Sequence, residues 1–253
     1  MRLLSVLFVV LSLSVSLVGD SHAAMEWLKE NLEEGSAIGL GVLYSSQPYT
    51  DVDADVFPVP LLNVKYKRFY VNGTSLGFLL LDEEEFDISL VGVPRFWGYE
   101  SDDSSALAGM SERKGSFDGG LRAQWENELF TLEVTGVTDW TGEHEGQEVS
   151  ALIKHEFLQG GFTPRVGVRW FSDDLTDHYY GVEASEAAAG RPAYEADSTV
   201  NFVAGAMVAV PFAEDWAWIT DAQYQMLGDE IEDSPIVEEN EILTFVSGIV
   251  YRF

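Results

Sequence analysis

The chain contains no cysteine, and its 14 lysines and arginines are far outnumbered by 43 aspartates and glutamates. The absence of cysteine excludes disulfides and thiolate metal sites. The net charge of −29 argues against nucleic acid as a partner, because phosphates would be repelled. Beyond the first residues, no apolar run reaches the ~20 residues that a membrane-spanning helix needs. These absences leave a fold that is stabilised by a packed core or by a closed sheet.

The first residues have the pattern of a secretory signal peptide. Arg2 supplies the positive end, residues 3–18 are apolar, and Ser21, His22 and Ala23 form a small-residue cleavage site. The apolar run is too short for an uncleaved membrane helix, which is the alternative interpretation. We therefore expect residues 1–23 to be a signal peptide that is removed after Ala23.

Most of the remaining chain alternates between apolar and polar residues, which is the pattern of β-strands. In residues 117–125, for example, Leu121 and Ala123 share one face, and Arg122 and Gln124 share the other. Only residues 25–32 and 183–189 have a helical pattern. Twelve strands are predicted, near residues 36–46, 57–66, 68–72, 75–81, 86–96, 116–125, 130–138, 148–157, 162–172, 199–210, 216–226 and 241–253.

The predicted strands and their connections are typical of an outer-membrane barrel. Most strands have about 9–11 residues, which span roughly 25 Å when tilted. The connections on one side are short, whereas nearly all of those on the other side are long, as in barrels whose chain ends lie in the periplasm. We predict an all-β, transmembrane antiparallel barrel of about 12 strands in the cell outer membrane, with both termini periplasmic. It would comprise residues 36–253 and follow a short periplasmic segment at residues 24–35.

A soluble β-sandwich or a lipocalin-like barrel would also alternate, with the apolar face in a shared core. Here Gly120 and Gly167 lie among charged residues on the face opposite the apolar one, which favours a polar lumen and a lipid-covered exterior. The last strand fits this interpretation. We predict that Ile249, Tyr251 and Phe253 face the lipid and form the C-terminal element for insertion into the outer membrane.

In this register, many charged residues point into the lumen, while acidic residues crowd the long loops. The predicted lumen charges are Lys65, Arg95, Arg122, Glu133, Lys154, Glu156, Arg165, Arg169, Asp221 and Arg252. They would either form ion pairs that fill the barrel or select solutes in a narrow pore.

The predicted hairpins also specify individual pairs of lumen charges. Arg122 is expected opposite Glu133, and Lys154 opposite Arg165. Since two cations directly opposite each other are unfavourable, we expect Glu156 to bridge them.

No pattern for a metal site or for catalysis is complete. Asp51, Asp53 and Asp55 resemble the start of a calcium loop, but Val56 and Leu62 occupy the positions that an EF-hand gives to glycine and glutamate. No G-x-S-x-G or H-E-x-x-H motif occurs. We therefore expect no catalytic residue, no metal and no cofactor.

Three stretches resemble the MltA-interacting protein (MipA/OmpV) family of outer-membrane proteins. They are "YYGVEASEAAAGRPAYEADSTV" (179–200), "LGDEIEDSPIVEENEILTFVSGIVYRF" (227–253) and "IGLGVLYSSQPYTDVDADVFPVPLLNVKYKRFYVNG" (38–73). The motif positions in two long loops are Tyr179, Tyr180, Gly181, Val182, Ala187, Pro192, Tyr194, Ser234, Pro235, Ile236 and Val237. We expect the Ser234 motif to pack against the Tyr179 loop across the barrel mouth.

The resemblance implies a non-enzymatic outer-membrane barrel with one of two functions. The first is a scaffold that connects a murein hydrolase, a lytic transglycosylase, with a murein synthase, a penicillin-binding protein. The alternative is a narrow pore for small solutes with a charged lumen. The partners expected are outer-membrane lipid and these cell-wall enzymes.

Overall fold

The computed structural model describes residues 32, 35–158 and 160–253. The predicted signal peptide and nearly all of the predicted helix at 25–32 lie outside these residues. Twelve strands form one closed antiparallel barrel, in which each strand pairs with the next and β12 pairs with β1. The strands are β1 (Ala37–Ser45), β2 (Asp55–Tyr66), β3 (Phe69–Asn72), β4 (Ser75–Asp82), β5 (Phe86–Pro94), β6 (Phe117–Glu126), β7 (Thr131–Asp139), β8 (Gln147–Lys154), β9 (Phe162–Phe171), β10 (Thr199–Pro211), β11 (Trp216–Met226) and β12 (Glu241–Arg252).

The predicted barrel is confirmed, and the alternation of the sequence accounts for its two faces. Leu40, Leu121 and Val166 point outwards with 67%, 53% and 58% of their surface exposed. The residues that alternate with them on the same strands point inwards, and they include Arg122 and Arg165. A single sheet with its apolar residues outside is neither a sandwich nor a lipocalin-like barrel, so both soluble alternatives are wrong. Within the described ranges, the helices are too short and too polar to cross a membrane.

The four longest connections all lie at one end of the barrel. The turn end has the short connections, at residues 67–68, 83–85, 127–130, 155–161 and 212–215. The N-terminal and C-terminal strands meet there, since the Phe253 amide donates to the Ser36 carbonyl at 2.9 Å. The loop end has the two-residue connection at 73–74, the seven-residue connection at 140–146, and the long loops at 46–54, 95–116, 172–198 and 227–240.

Two short helices lie in the long loops, α1 (Asp173–Tyr180) and α2 (Asp229–Glu232). The predicted helix at 183–189 is wrong, because these residues form turns. Glu186 explains the difference: its carboxylate accepts bonds from the Ser111 and Glu183 amides and from Arg113. These contacts fix the segment against the loop between β5 and β6.

The hairpin of β3 and β4 is much shorter than the strands beside it. Strand β3 pairs only with residues 63–66 of β2, whereas β1 pairs with residues 55–63. Residues 78–81 do not alternate in the sequence, and the register of β4 shifts between Leu79 and Leu81, as at a β-bulge. On the side of the loop end, the barrel wall is therefore shorter at this hairpin than at the neighbouring strands.

The lumen has an apolar sector as well as a charged one. Inward residues of β1, β2, β11 and β12 pack together on one side of the interior. The buried members are Val59, Leu61, Ala217 and Val250. The charged residues lie mainly on β5 to β9, on the opposite side of the barrel, so the interior is divided into a packed half and a polar half.

Candidate functional site

The long loops pack together over the barrel mouth in a hydrophobic cluster that we name the cap. Its buried residues come from four loops and from the strand ends beside them. They are Tyr49, Tyr99, Leu107, Met110, Phe171, Leu175, Tyr179, Tyr180, Val182, Leu227, Ile231 and Ile236. Because these loops start from strands spread around the barrel, their contacts cross the mouth. The rings of Tyr49 and Tyr99, for example, join the loops after β1 and β5 with centroids 4.9 Å apart.

Helix α1 brings the two central tyrosines of the cap into position. Ser172 caps its first turn by accepting a bond from the Leu175 amide, and Asp173 and Asp174 lie near its positive end. Leu175, Tyr179 and Tyr180 are buried on the face that enters the cap. The Tyr179 hydroxyl donates to the Lys114 carbonyl at 3.0 Å. The helix thus fixes the loop after β9 to the loop after β5.

The two motif loops that resemble the family are in contact, as expected from the sequence. The Ser234 hydroxyl donates to the Tyr180 carbonyl at 2.5 Å, and the Ile236 side chain is fully buried in the cap. The Thr50 amide donates to the Ile236 carbonyl at 2.9 Å, which adds the first loop to this contact. The first and last long loops of the chain are therefore in direct contact at the mouth.

The other motif positions divide between the interior and the surface. Gly181 and Val182 are buried, Pro235 and Val237 are half-buried, and Ala187 and Pro192 are exposed. Tyr194 is half-buried, and its hydroxyl donates to the Glu230 carbonyl at 2.8 Å. Burial, and then the charge and hydrogen bond of Glu230, raise the Tyr194 pKa to about 12. The motif is therefore a packing unit with an exposed tip at Ala187 and Pro192.

Two arginines stabilise the cap from within. Arg113 pairs with Glu186 at 2.9 Å and donates to the His178 carbonyl at 2.8 Å. Arg191 donates to the carbonyls of Ala106, Ala108 and Glu186. Although burial alone would raise it, the pKa of Glu186 is lowered by hydrogen bonds and by Arg113. Sequence reasoning missed these residues, because nothing in the local pattern shows that a loop arginine is buried.

A buried charge cluster lies beneath the cap, at the loop end of β5, β6 and β8. Arg95 donates to Asp118 at 2.5 Å and to Glu148 at 2.9 Å. Asp118 also accepts from Ser116 at 2.7 Å and bonds to His144 Nε2 at 3.1 Å. Of these five residues, only Arg95 was predicted from the sequence. The signal for Asp118 was present, because it continues the inward row of Gly120 and Arg122.

Asp118, Asp139 and His144 bring potential metal ligands within 4.8 Å of one another, but their donor atoms are already used. The Gly146 amide donates to His144 Nδ1, so Nε2 carries the proton that is donated to Asp118. Asp139 accepts bonds from the amides of Thr141, His144 and Glu145. An imidazole that donates to a carboxylate does not ligate a metal through the same nitrogen. We interpret the cluster as structural.

Lower in the lumen, cations and carboxylates pair differently from the predicted pairs. Lys154 lies opposite Arg165 as expected. However, Lys154 contacts Glu133 at 3.3 Å, and Arg165 binds both carboxylate oxygens of Asp221 at 2.6 and 2.7 Å. Glu156 is exposed in the turn after β8, because that strand ends at Lys154. The predicted bridge through Glu156 is therefore wrong.

The predicted pair of Arg122 and Glu133 is also wrong. The hairpin pairs Trp125 with Leu132 rather than with Phe130, which places Arg122 opposite Thr135 and Gln124 opposite Glu133. The reason is the position of the turn, since the four-residue connection lies at 127–130 rather than at 126–129. Arg122 instead lies over the Tyr70 ring, with 4.8 Å between its guanidinium carbon and the ring centroid.

The remaining predicted residues lie near the turn end. Lys65 contacts Asp82 at 3.7 Å, and Arg252 donates to the Glu214 carbonyl at 3.2 Å. Ile249 and Tyr251 are on the outward face of β12, where the Tyr251 ring packs against Phe253 at 5.2 Å. Their proposed role in membrane insertion stays a prediction.

A cavity of about 330 Å³ lies between the cap and the charged half of the lumen. Arg95, Glu148, Arg169, Gln223 and Gln225 supply its polar wall. Its apolar wall includes Leu43, Phe57, Val93, Trp97, Tyr180 and Ile242. The site therefore combines donors, acceptors and aromatic rings around one cavity.

Comparison with known proteins finds a family and several relatives that this chain resembles. The family model described as "MltA-interacting protein MipA" matches residues 38–253. The Escherichia coli (strain K12) protein YiaT is 29% identical over 223 residues, which are 86% of this chain and 90% of that protein. The "MltA-interacting protein" of the same strain is 27% identical over 222 residues, with the same two coverages. Among solved structures, the NanC porin has a TM-score of 0.49 at 7% identity and covers 86% of this chain and 100% of its own.

Proposed function

Since the chain belongs to the MltA-interacting protein MipA family, we propose that this outer-membrane barrel is a closed, non-enzymatic interaction protein for murein-processing enzymes. The observation that carries the proposal is the cap. Twelve buried residues from across the mouth form one packed cluster, which is unlike the water-filled path of an open porin. The ion pairs below it further fill the lumen.

The turn end supplies a surface that suits a protein partner. Its connections and strand ends carry exposed acidic residues, which are Glu83, Glu84, Glu85, Glu126, Glu128, Glu156 and Glu214. Leu129 and Leu158 project from two of the turns with 75% and 83% of their surface exposed. Apolar anchors within a charged rim are typical of protein interfaces. In the proposed orientation this end faces the periplasm, where a murein hydrolase and a murein synthase would bind it.

Binding to a purified lytic transglycosylase tests the proposal. The double variant Leu129→Ser/Leu158→Ser should weaken binding by about tenfold or more, because each truncated anchor leaves a contact unfilled. A loop-end variant, Asp102→Asn/Asp103→Asn, is the matched control and should bind as the unaltered protein does. Equal binding by all three proteins, or none by any, would contradict the proposal.

A narrow pore for small solutes is the second candidate, and the inward arginines and the cavity favour it. Planar-bilayer recordings separate the two functions. A closed barrel gives no steady conductance, whereas a pore gives stable single-channel steps. Steady steps from the purified protein would refute the closed barrel and support the pore.

A further inference from the structure

The short β3–β4 hairpin leaves a gap in the barrel wall. Residues 55–62 of β2 pair with β1 but have no strand partner on their other side among the described residues. This unpaired edge is about 26 Å long at ~3.3 Å per residue. The other rim of the gap is the upper end of β5, where only Val93 and Pro94 extend beyond the last residue paired with β4. Strand β5 lies three strand spacings from β2, or about 14 Å.

The edge that faces the gap is depleted of amide donors. The Lys65 amide donates to Ser36 on the β1 side, whereas the Leu62 carbonyl accepts from Gly73 on the hairpin side. Since these directions alternate along a strand, the even-numbered residues of β2 face the gap. Pro58 and Pro60 occupy two of these positions and have no N–H to leave unpaired. Prolines also disfavour the addition of another polypeptide strand to this edge.

The rim of the gap lies in the outward apolar surface. Val56 on β2 is 65% exposed and Phe96 beyond β5 is 48% exposed, and Pro58 also lies outwards. Inside the gap is the cavity beneath the cap, whose lining includes Phe57 from one rim and residues 93–98 from the other. The gap therefore leads from a lipid-facing surface to an internal cavity.

Two buried donors in that cavity lack an acceptor among the residues that the structure describes. They are Arg169 Nε and Gln225 Nε2. Arg169 Nη1 donates to Gln225 Oε1 at 3.3 Å, so the Gln225 amide nitrogen points away from the arginine. The nearest carboxylate, Glu148, lies 3.8 Å from Arg169 Nε, beyond hydrogen-bonding distance. Gln225 is 3% exposed, and an unpaired donor buried to this degree is unfavourable.

We propose that the gap is a lateral portal through which a small amphiphile passes from the bilayer into the cavity. Its oxygen atom accepts bonds from Arg169 and Gln225, and its chain lies against Phe57, Val93 and Trp97. The oxygen group is neutral, because Asp118 and Glu148 already balance Arg95 and Arg169. A cavity of about 330 Å³ is at the lower end of the range for small-molecule sites, which fits one chain or ring rather than a two-chain phospholipid.

Binding of radiolabelled methyl decanoate to the barrel in lipid nanodiscs tests the site. We expect saturable binding above that of lipid-only nanodiscs, with decanoate and decane binding at least about tenfold more weakly. Gln225→Glu and Arg169→Gln should each weaken methyl decanoate binding to a similar degree. Arg165→Gln is the control, because Arg165 pairs with Asp221 outside the cavity lining. Equal binding of the ester and decane, or unchanged binding in both cavity variants, would overturn the site.

The portal itself is tested by blocking it. The chain has no native cysteine, so Pro58→Cys can be labelled alone with a bulky maleimide. This adduct should slow ester uptake severalfold, whereas the same adduct on Leu121→Cys, which lies outside a continuous part of the wall, should not. Equal uptake rates for the two adducts would show that the ligand does not cross the wall at this gap.

Discussion

Tyr179 shows how much of the cap depends on single side chains. It is fully buried, its hydroxyl donates to the Lys114 carbonyl, and its ring contacts Trp97 with centroids 5.8 Å apart. We predict that Tyr179→Ala destabilises the cap by about 3 kcal/mol or more, as expected for a large buried aromatic residue. The measurement is protease cleavage of the loops in the folded barrel.

The exposed Pro192→Ala in the same loop is the control for this variant. It should leave the cleavage rate close to that of the unaltered protein. If Tyr179→Ala were cleaved no faster than Pro192→Ala, the cap would not be the packed unit described above.

His178 makes the cap sensitive to pH. Burial, Arg113 and His144 lower the His178 pKa to about 4, from an unfolded value near 6.5. Since the folded state resists protonation, its stability is full above pH ~6.5 and falls as the pH drops towards 4. We predict that cap protection in hydrogen exchange decreases over this window, and that His178→Gln removes most of the decrease. An unchanged pH profile in the variant would show that another group is responsible.

Glu186 adds a second acid-sensitive step at lower pH. Its pKa is lowered by its hydrogen bonds and by Arg113, so its contribution is present above its ordinary pKa and is lost as the pH falls further. The loss of protection that remains in His178→Gln should therefore begin below about pH 4.5, near the ordinary glutamate pKa.

At the scale of the elements, helix α1 is the unit on which the cap is built. The Ser172 hydroxyl accepts from the Gln147 amide at 2.9 Å and from the Leu175 amide at 3.4 Å. Ser172→Ala removes both bonds, and we predict a loss of about 1–2 kcal/mol in the local stability of α1. Hydrogen exchange of residues 173–180 is the measurement. The exposed Ser185→Ala is the comparison, and equal exchange in the two variants would contradict the prediction.

The strands were predictable from the sequence because lipid on one side and charge on the other impose a strict period of two. The limits of this reasoning are visible in β7, where the four-residue turn lies one residue later than expected, so that Glu133 is no longer opposite Arg122. Turn geometry sets the register, and alternation alone does not specify it. The bulge in β4 breaks the pattern for a similar local reason.

The helices were not predicted, although the signals for α1 were present. Ser172, two aspartates in the first turn and Gly181 after the last are the usual boundary residues of a helix. The alanines at 187–189 gave a stronger helical signal, but the contacts of Glu186 override it. Loop-to-loop contacts such as Arg113–Glu186 join residues 73 positions apart, and no local pattern contains them.

At the scale of the whole molecule, we predict that the outward C-terminal residues govern assembly. Phe253→Ala should lower the fraction of barrel that migrates as the folded, heat-modifiable form, because the last aromatic contact with Tyr251 is lost. Arg252→Gln is the control, because it changes the residue next to Phe253 that lies on the inward face of β12. An equal folded fraction in the two variants would show that Phe253 has no special role.

The bond between Thr50 and Ile236 has a consequence for the order of folding. It joins the loop after the first strand to the loop before the last, so it forms only when the chain is present as far as Ile236, and the pairing of β12 with β1 holds these two loops side by side. Contacts between such distant residues form slowly. The loops at the mouth therefore pack late in folding. Their resistance to protease indicates that β12 has paired with β1.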